Sequence, residues 1–358
     1  MALRRPRDIE RAAHLGARAR VLAADVNDPD ELAPIHSGLF NASLTHGELA
    51  PMREVADATM RAAESSPKSS IAAVVANWTS GLTCWFEGNY LSARGHFEQA
   101  LAIYRAEPNP AIFRALTLDL PAALLRFLAL VLWPLGEIDR SRHLADEAVS
   151  SLEIKRPLVQ ANELVHKTVF DGLCKNDRQI MQQADSILAL ARGNALPLYV
   201  AAGTYLSGLA RWRTGDRIGG LDEMRRGWAL LHENDCYLYE PFWGINIVQA
   251  YAEVGQIETG LANLSDLIIW AEQTGQRWLD AELYRVRGEL LRDRDQPDVS
   301  AAEDSFKLAI DIARRQQTKT FELRATIHPP PGSNFGLNLT RGRPGPVRSV
   351  EAPSYQRW

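Results

Sequence analysis

Turn residues recur along this sequence at a nearly constant spacing. Short turn segments are centred on Gly47, Gly88, Gly136, Asn176, Gly215 and Gly255. Their successive separations are 41, 48, 40, 39 and 40 residues. Self-similarity at a fixed period of about 20–50 residues is the signature of repeat architectures. Each repeat in such a chain contacts mainly its neighbours, so its apolar faces must be buried by stacking.

The clearest repeat unit is the segment 74–108, which predicts two helices joined by a tight turn. Gly88 can adopt the left-handed backbone conformation that ends the first helix. Ala93, Phe97 and Ala100 follow at helical spacing and form one face of the second helix. Gly81 lacks a side chain and allows the two helices to approach closely. This is the A-x-x-x-F-x-x-A pattern of a tetratricopeptide (TPR) hairpin.

The other units support the same fold with varying strength. Ala302, Phe306 and Ala309 restore the pattern near the end of the array, whereas the units around Gly47 and Asn176 are degenerate. Three glycines at helix contact positions, Gly208, Gly220 and Gly227, predict unusually close packing. We therefore predict an all-α, TPR-like right-handed superhelix of about seven antiparallel helix hairpins with a period of about 40 residues.

Two regions are predicted. Residues 1–326 form the TPR-like helical repeat domain, in which residues 8–24 supply the second helix of an incomplete first unit. Residues 327–358 form a disordered tail rich in proline, glycine and arginine, because three consecutive prolines follow His328 and no helical period continues.

Composition excludes several classes of function. The net charge of −4 and pI near 6.1 give no global attraction to nucleic acid or to an anionic membrane. The longest apolar run, residues 124–135, contains Arg126 and Pro134 and is too short to span a bilayer. The arginine-rich N-terminus has no signal-peptide core. A cytoplasmic protein follows, in which Cys84, Cys174 and Cys236 are reduced core thiols.

The sequence contains none of the common catalytic or metal-binding patterns. It has no phosphate-cradling G-x-x-x-x-G-K-[ST] loop, no H-E-x-x-H, no C-x-x-C pair and no G-x-S-x-G elbow. The histidines are scattered singly along the chain. We therefore expect no enzyme activity, no cofactor and no metal site.

Aromatic residues are the one recurrent oddity. Trp85, Trp133 and Trp212 each precede a turn glycine by three residues, and Trp78 and Tyr205 lie seven residues earlier in their hairpins. Such positions tend to face the concave groove of a TPR array, where aromatic rings can anchor a peptide or flat ligand. Adding polar neighbours, the partner-groove candidates are Trp78, Trp85, Arg126, Trp133, His166, Tyr205, Trp212 and Arg213. The favoured alternative is structural, with the tryptophans sealing each hairpin against its neighbour.

Residues 278–325, with 74–105 and 205–230, resemble the C-terminal TPR-like region of bacterial signalling proteins that carry an adenylate/guanylate cyclase or DNA-binding module and an AAA/STAND-type ATPase. LuxR-type activators share this architecture. The resemblance covers roughly residues 10–326 and implies a sensing or scaffolding array. It also implies a truncated fragment, and we hypothesise a shifted reading frame after Thr326 because the family continues there in helices.

Three functions follow as expectations. The leading one is a non-catalytic scaffold that binds a protein or peptide in the concave groove, as a regulatory fragment of a cyclase/ATPase-like protein. The second is a small-molecule effector-sensing domain with a closed pocket lined by Trp85, Trp133 or Trp212. The third is an α/α-toroid hydrolase, which needs two carboxylates facing each other at the centre of a closed ring.

Overall fold

The computed structural model describes residue 26 and residues 28–107, 119–152 and 156–327. These ranges contain fifteen α-helices and no strand. The helices are α1 Pro29–His46, α2 Leu49–Ser65, α3 Ser70–Phe86, α4 Tyr90–Ala106, α5 Leu120–Leu135, α6 Ile138–Ser150, α7 Pro157–Leu173, α8 Asp177–Gly193, α9 Pro197–Arg213, α10 Arg217–Glu233, α11 Glu240–Glu253, α12 Ile257–Thr274, α13 Asp280–Arg292, α14 Val299–Arg315 and α15 Lys319–Thr326.

Consecutive helices pack in pairs from α1–α2 to α13–α14, and α15 follows as one further helix. Seven stacked hairpins confirm the predicted all-α, TPR-like superhelix. The helix predicted for residues 8–24 and the tail predicted for residues 328–358 lie outside the described residues, so the boundary at Thr326 stays a prediction.

Five of the six predicted turn residues have the left-handed backbone that ends a helix. They are Gly47, Gly88, Gly136, Gly215 and Gly255, with φ between 71° and 112°. The prediction was wrong by one residue in the fourth hairpin, where Lys175 (φ 56°) makes the turn. Asn176 instead precedes α8 as its N-cap residue, as Asn89 does before α4. Asparagine suits both positions, so sequence alone did not distinguish them.

Helices α9 and α10 touch through their backbones. A Cβ atom added at Gly220 would lie 2.4 Å from the Trp212 amide nitrogen, and one at Gly227 would lie 2.4 Å from that of Tyr205. A Cβ at Gly208 would lie 2.5 Å from the Met224 nitrogen. The close packing predicted from these three glycines is therefore present, and any side chain there would push the helices apart.

The superhelix coils back on itself, so that two late loops and helix α15 contact the turn ends of early hairpins. In each contact a carbonyl at the C-terminal end of α1, α3, α5 or α7 accepts a hydrogen bond from a distant donor; the Trp133 carbonyl also accepts one from Gly136 N (3.1 Å). We call these five contacts the seam: Tyr237 N to Thr45 O (2.8 Å), Gln276 Nε2 to Gly47 O (2.9 Å), Arg277 N to Phe86 O (2.6 Å), Thr320 Oγ1 to Trp133 O (2.8 Å) and an Arg324 terminal nitrogen to Leu173 O (2.8 Å).

The cysteines are free thiols, with Cys236 buried and Cys84 and Cys174 half-buried. Burial raises the pKa of Cys84 and Cys236 to about 11 and that of Cys174 to about 12. At neutral pH all three therefore stay protonated and weakly nucleophilic. Among the described helices, none combines the length and the apolar character needed to cross a membrane.

Candidate functional site

The two aromatic candidates of α3 lie beneath the seam. Trp78 and Trp85 are both 0% exposed. The Trp85 ring lies 4.6 Å from that of Trp278 and 6.1 Å from that of Tyr239, both from hairpins far along the chain. Trp85 thus seals the inner face against a distant turn of the superhelix as well as against its neighbours. A role as a ligand anchor stays a prediction and requires the seam to open.

The aromatic candidates farther along the array also make contacts within the protein. Trp133 packs under α15, with the Arg324 guanidinium 4.7 Å above its ring and Phe321 at 5.7 Å. Trp212 is 6% exposed and donates from Nε1 to Glu253 Oε2 in the next hairpin (2.7 Å). The Tyr205 hydroxyl donates to the Trp243 carbonyl oxygen (2.5 Å).

Two predicted polar residues belong to a buried polar cluster, which consists of Arg126, Glu163, His166 and Tyr239. Arg126 of α5 forms an ion pair with Glu163 of α7, and His166 Nδ1 shares a hydrogen bond with the Tyr239 hydroxyl. All four residues are at most 6% exposed. The sequence prediction thus found half of this cluster but neither partner.

Titration in this cluster is governed by burial. Burial raises the pKa of Glu163 to about 7, although the charge of Arg126 opposes the change. Burial, and then the charge of Arg126, hold the pKa of His166 well below its ordinary value, so the imidazole is neutral at pH 7. Arg126 Nε and Glu163 Oε2 have no hydrogen-bond partner. The cluster is sealed and imperfectly satisfied, which makes it a costly part of the core.

Tyr239 has an unusual backbone. Its φ of 65° lies in the left-handed region at the start of α11, where a bulky residue is strained by about 1–3 kcal/mol. The ring is held by its neighbours Trp85, Trp278 and Trp243 at centroid distances of 5.9–6.3 Å. Packing across the seam thus stabilises this conformation.

A cavity opens to solvent on the inner face, where the ends of α7 and α9 meet α11, α13 and α15. It leaves about 40 Å³ of space for water-sized molecules, which is room for only a few waters. We call it the inner cavity; its lining consists of Gly172, Leu173, Lys175, Arg213, Phe242, Ile245, Asn246, Gln249, Leu279, Glu282, Arg285 and Arg324. Four of these side chains are cationic and one is acidic.

Fixed partners hold the three cavity arginines in place. Arg213 pairs with Asp177 (2.8 Å) and donates to Asn246 Oδ1 (3.0 Å). Glu282 accepts from Arg285 (3.0 Å) and from Arg324 (3.1 Å).

The protonation of Glu282 reflects these two ion pairs. Burial opposes its ionisation, but Arg285 and Arg324 outweigh burial and lower its pKa below the usual range. Arg285 and Arg324 are therefore held in place by a carboxylate that is ionised at neutral pH.

Of the eight predicted site residues, Arg213 lines the inner cavity. Trp133 lies behind Arg324, and the others lie in the core or in the buried polar cluster. Sequence reasoning missed Lys175, Glu282, Arg285 and Arg324. The first was hidden by the misplaced turn, and the others converge only because the superhelix coils back, which local periodicity does not encode.

No group of three or more His, Cys, Asp or Glu residues that could hold a metal ion occurs in the described ranges. The expected absence of a cofactor rests on the sequence patterns alone.

Comparisons with known proteins return structural likeness only. No protein-family model matches the chain, and no curated protein matches it. It is similar to a Rap protein solved in complex with competence and sporulation factor, with 14% identity and a TM-score of 0.54, over 89% of this chain and 90% of that one. It is also similar to the apo form of RapI, with 9% identity and a TM-score of 0.44, over 89% and 92% of the two chains. The first likeness shows the helical-repeat fold.

Proposed function

We propose that this chain is a non-catalytic TPR-type scaffold that binds a protein or peptide on the inner face of its superhelix. The observation that carries the proposal is the inner cavity, an open recess that combines four cationic side chains with a largely apolar exposed lining. The Rap protein of similar fold was solved in complex with competence and sporulation factor, and a bound partner on such a fold supports the same use here.

The predicted anchors enter this proposal in two ways. Arg213 lines the inner cavity and Trp133 supports Arg324 from behind, so both act in the conformation described. Trp78, Trp85, Tyr205 and Trp212 would meet a partner only if the helices that cover them moved. Arg126 and His166 would stabilise the wall behind such a partner.

The proposal does not include catalysis because the carboxylates of the buried polar cluster and the inner cavity are held in ion pairs. Glu163 is paired with Arg126, and Glu282 with Arg285 and Arg324. A toroid hydrolase would need two such groups free to act on one bond. The suggested origin in a cyclase/ATPase-like signalling protein stays a proposal that depends on the sequence resemblance. The cytoplasmic location stays a proposal that depends on the free cysteines.

An effector-sensing role is the second candidate; the inner cavity leaves only about 40 Å³ of space in this conformation, far below the roughly 300 Å³ at which small-molecule pockets start, so an effector would have to widen it. The lining of this cavity includes none of Trp85, Trp133 and Trp212, which the sequence placed in such a pocket. A free amino acid or metabolite that competes with peptides for the cavity would favour this candidate.

The test is a peptide array probed with the full chain. Hexapeptides of varied sequence would be tethered by their N-termini and screened with wild-type protein, and with two variants of equal charge change. Lys175→Glu alters the mouth of the inner cavity, whereas Arg225→Glu alters the exposed surface of α10. Saturable binding that Lys175→Glu weakens and Arg225→Glu leaves intact is the expected result. Equal binding by all three proteins would contradict the proposed location.

A further inference from the structure

One cationic group of the inner cavity has no partner. Lys175 lies at the mouth of the cavity and is exposed. Among the described residues its ammonium group makes neither an ion pair nor a side-chain hydrogen bond, in contrast to the three cavity arginines, each of which is fixed by a carboxylate. The backbone turn at Lys175 (φ 56°) fixes the position from which this side chain extends.

The cavity places Lys175 in a positive potential that Glu282 only partly offsets. Loss of hydration, and then the charges of Arg324, Arg285 and Arg213, lower the pKa of its ammonium group. Like charges gathered around an open recess are relieved by an anion, and the arginines cannot move away because Glu282, the Leu173 carbonyl and Asp177 hold them. The recess is therefore preorganised for negative charge.

The remaining lining indicates what kind of anion fits. Phe242, Ile245 and Leu279 supply an apolar wall, and Asn246 and Gln249 supply amide groups. An apolar wall next to a cationic mouth suits an organic carboxylate better than a strongly hydrated inorganic ion. We infer that the inner cavity binds a carboxylate group of the peptide ligand, with Lys175 as its principal cationic partner; this inference rests on the proposed function.

The carboxylate site can be tested with acetate as the probe, without knowledge of the natural ligand. The chain has six lysines, so the Lys175 side-chain signal in a ¹H–¹³C spectrum can be assigned from its loss in Lys175→Gln. We expect acetate, titrated at constant ionic strength against chloride, to shift this signal saturably and to raise the pKa of Lys175 by about 1. Acetamide, which is neutral and of the same shape, should leave the signal unchanged.

Two outcomes of the titration would overturn the inference. One is a Lys175 signal that neither acetate nor inorganic phosphate shifts. The other is a response to phosphate without a response to acetate, since the site would then select an inorganic or phosphoryl group. A response to acetate that exceeds the response to phosphate supports a carboxylate site.

A second experiment tests whether the carboxylate site contributes to peptide binding. Array peptides with a free C-terminal carboxylate, or with Asp or Glu, should bind about tenfold more tightly than the same peptides amidated and neutral. Tenfold corresponds to about 1.4 kcal/mol, which one charge-assisted hydrogen bond can supply. Lys175→Glu places a carboxylate of the protein itself at the site and should remove that preference. Neutral and acidic peptides that bind equally would overturn the inference and leave the proposed function standing. Acetate binding without any peptide binding would contradict the proposed function, and would leave a carboxylate site that serves some other ligand.

Discussion

The buried polar cluster and the inner cavity are both charged regions of one inner face, but they are built differently. In the cluster Arg126 and Asn162 both donate to Glu163, the ion pair is nearly closed to water, and two polar atoms stay unsatisfied. In the inner cavity the arginines are anchored by carboxylates while Lys175 stays exposed and unpaired. The contrast teaches that charge on an inner face indicates binding only where the fold also leaves a route to solvent.

The largest expected loss of stability tests whether the tryptophans beneath the seam are structural. Trp85→Ala removes a 0% exposed ring that joins α3 to Trp278 across the seam, and should lower the free energy of unfolding by about 3–5 kcal/mol. Urea unfolding followed by circular dichroism measures the loss. Trp228→Ala, at a half-buried position on α10, is the size-matched control and should cost less. A Trp85 variant as stable as wild type would mean that the seam is open in solution.

The second prediction uses the pH dependence of the buried polar cluster. The folded-state pKa of Glu163 is raised to about 7 from an ordinary 4.5, so the folded state binds the proton more tightly and this group lowers stability as pH rises from about 4.5 to 7. His166, whose pKa is lowered by burial and Arg126, acts oppositely and lowers stability as pH falls below about 6.5. The two effects partly cancel in wild type.

Glu163→Gln separates them, because it removes the first effect and keeps the second. The stability of the variant relative to wild type should increase by up to about 3 kcal/mol between pH 4.5 and 7. Unfolding free energies at four pH values across this window measure the difference. The charged groups that contribute are Arg126, His166 and Asp119, and Tyr239 stays protonated throughout. A difference that does not vary with pH would show that Glu163 is ionised across the whole window.

The third prediction concerns the contact of α15 with α5, next to the inner cavity. Thr320→Val removes the hydrogen bond to the Trp133 carbonyl oxygen (2.8 Å) and should cost about 1 kcal/mol, as a lost neutral hydrogen bond does. Thr326→Val is the matched control on the same helix, since it removes only a local bond to the Glu322 carbonyl. Hydrogen exchange of α15 amides should speed up more in the first variant. The reverse order would show that α15 is held by its packing on α13 and α14 and not by the seam.

The local features of this fold could be predicted from the sequence, but the contacts across the seam could not. The turn glycines, the close approach at Gly220 and Gly227 and the hairpin order follow from residue size and backbone freedom, which a sequence displays directly. The contacts of Trp85 with Trp278 and of Arg324 with Leu173 depend on the rotation between successive hairpins. This rotation adds up along the superhelix and determines which distant residues meet. That rotation depends on packing, so the tryptophans were recognised as repeated parts while their distant partners and the inner cavity were not.

The smallest expected effect is the one that separates the two regions most sharply. Lys175→Gln should change the free energy of unfolding by less than about 0.5 kcal/mol, because the side chain is exposed and leaves no partner unpaired. The sign should be slightly stabilising at low salt, where loss of the ammonium relieves its repulsion with Arg213, Arg285 and Arg324. Urea unfolding at low and high sodium chloride measures both features, and the gain should vanish at high salt. A loss above about 1 kcal/mol would make Lys175 a structural partner comparable with Glu163, and the distinction between a sealed cluster and a binding cavity would fail.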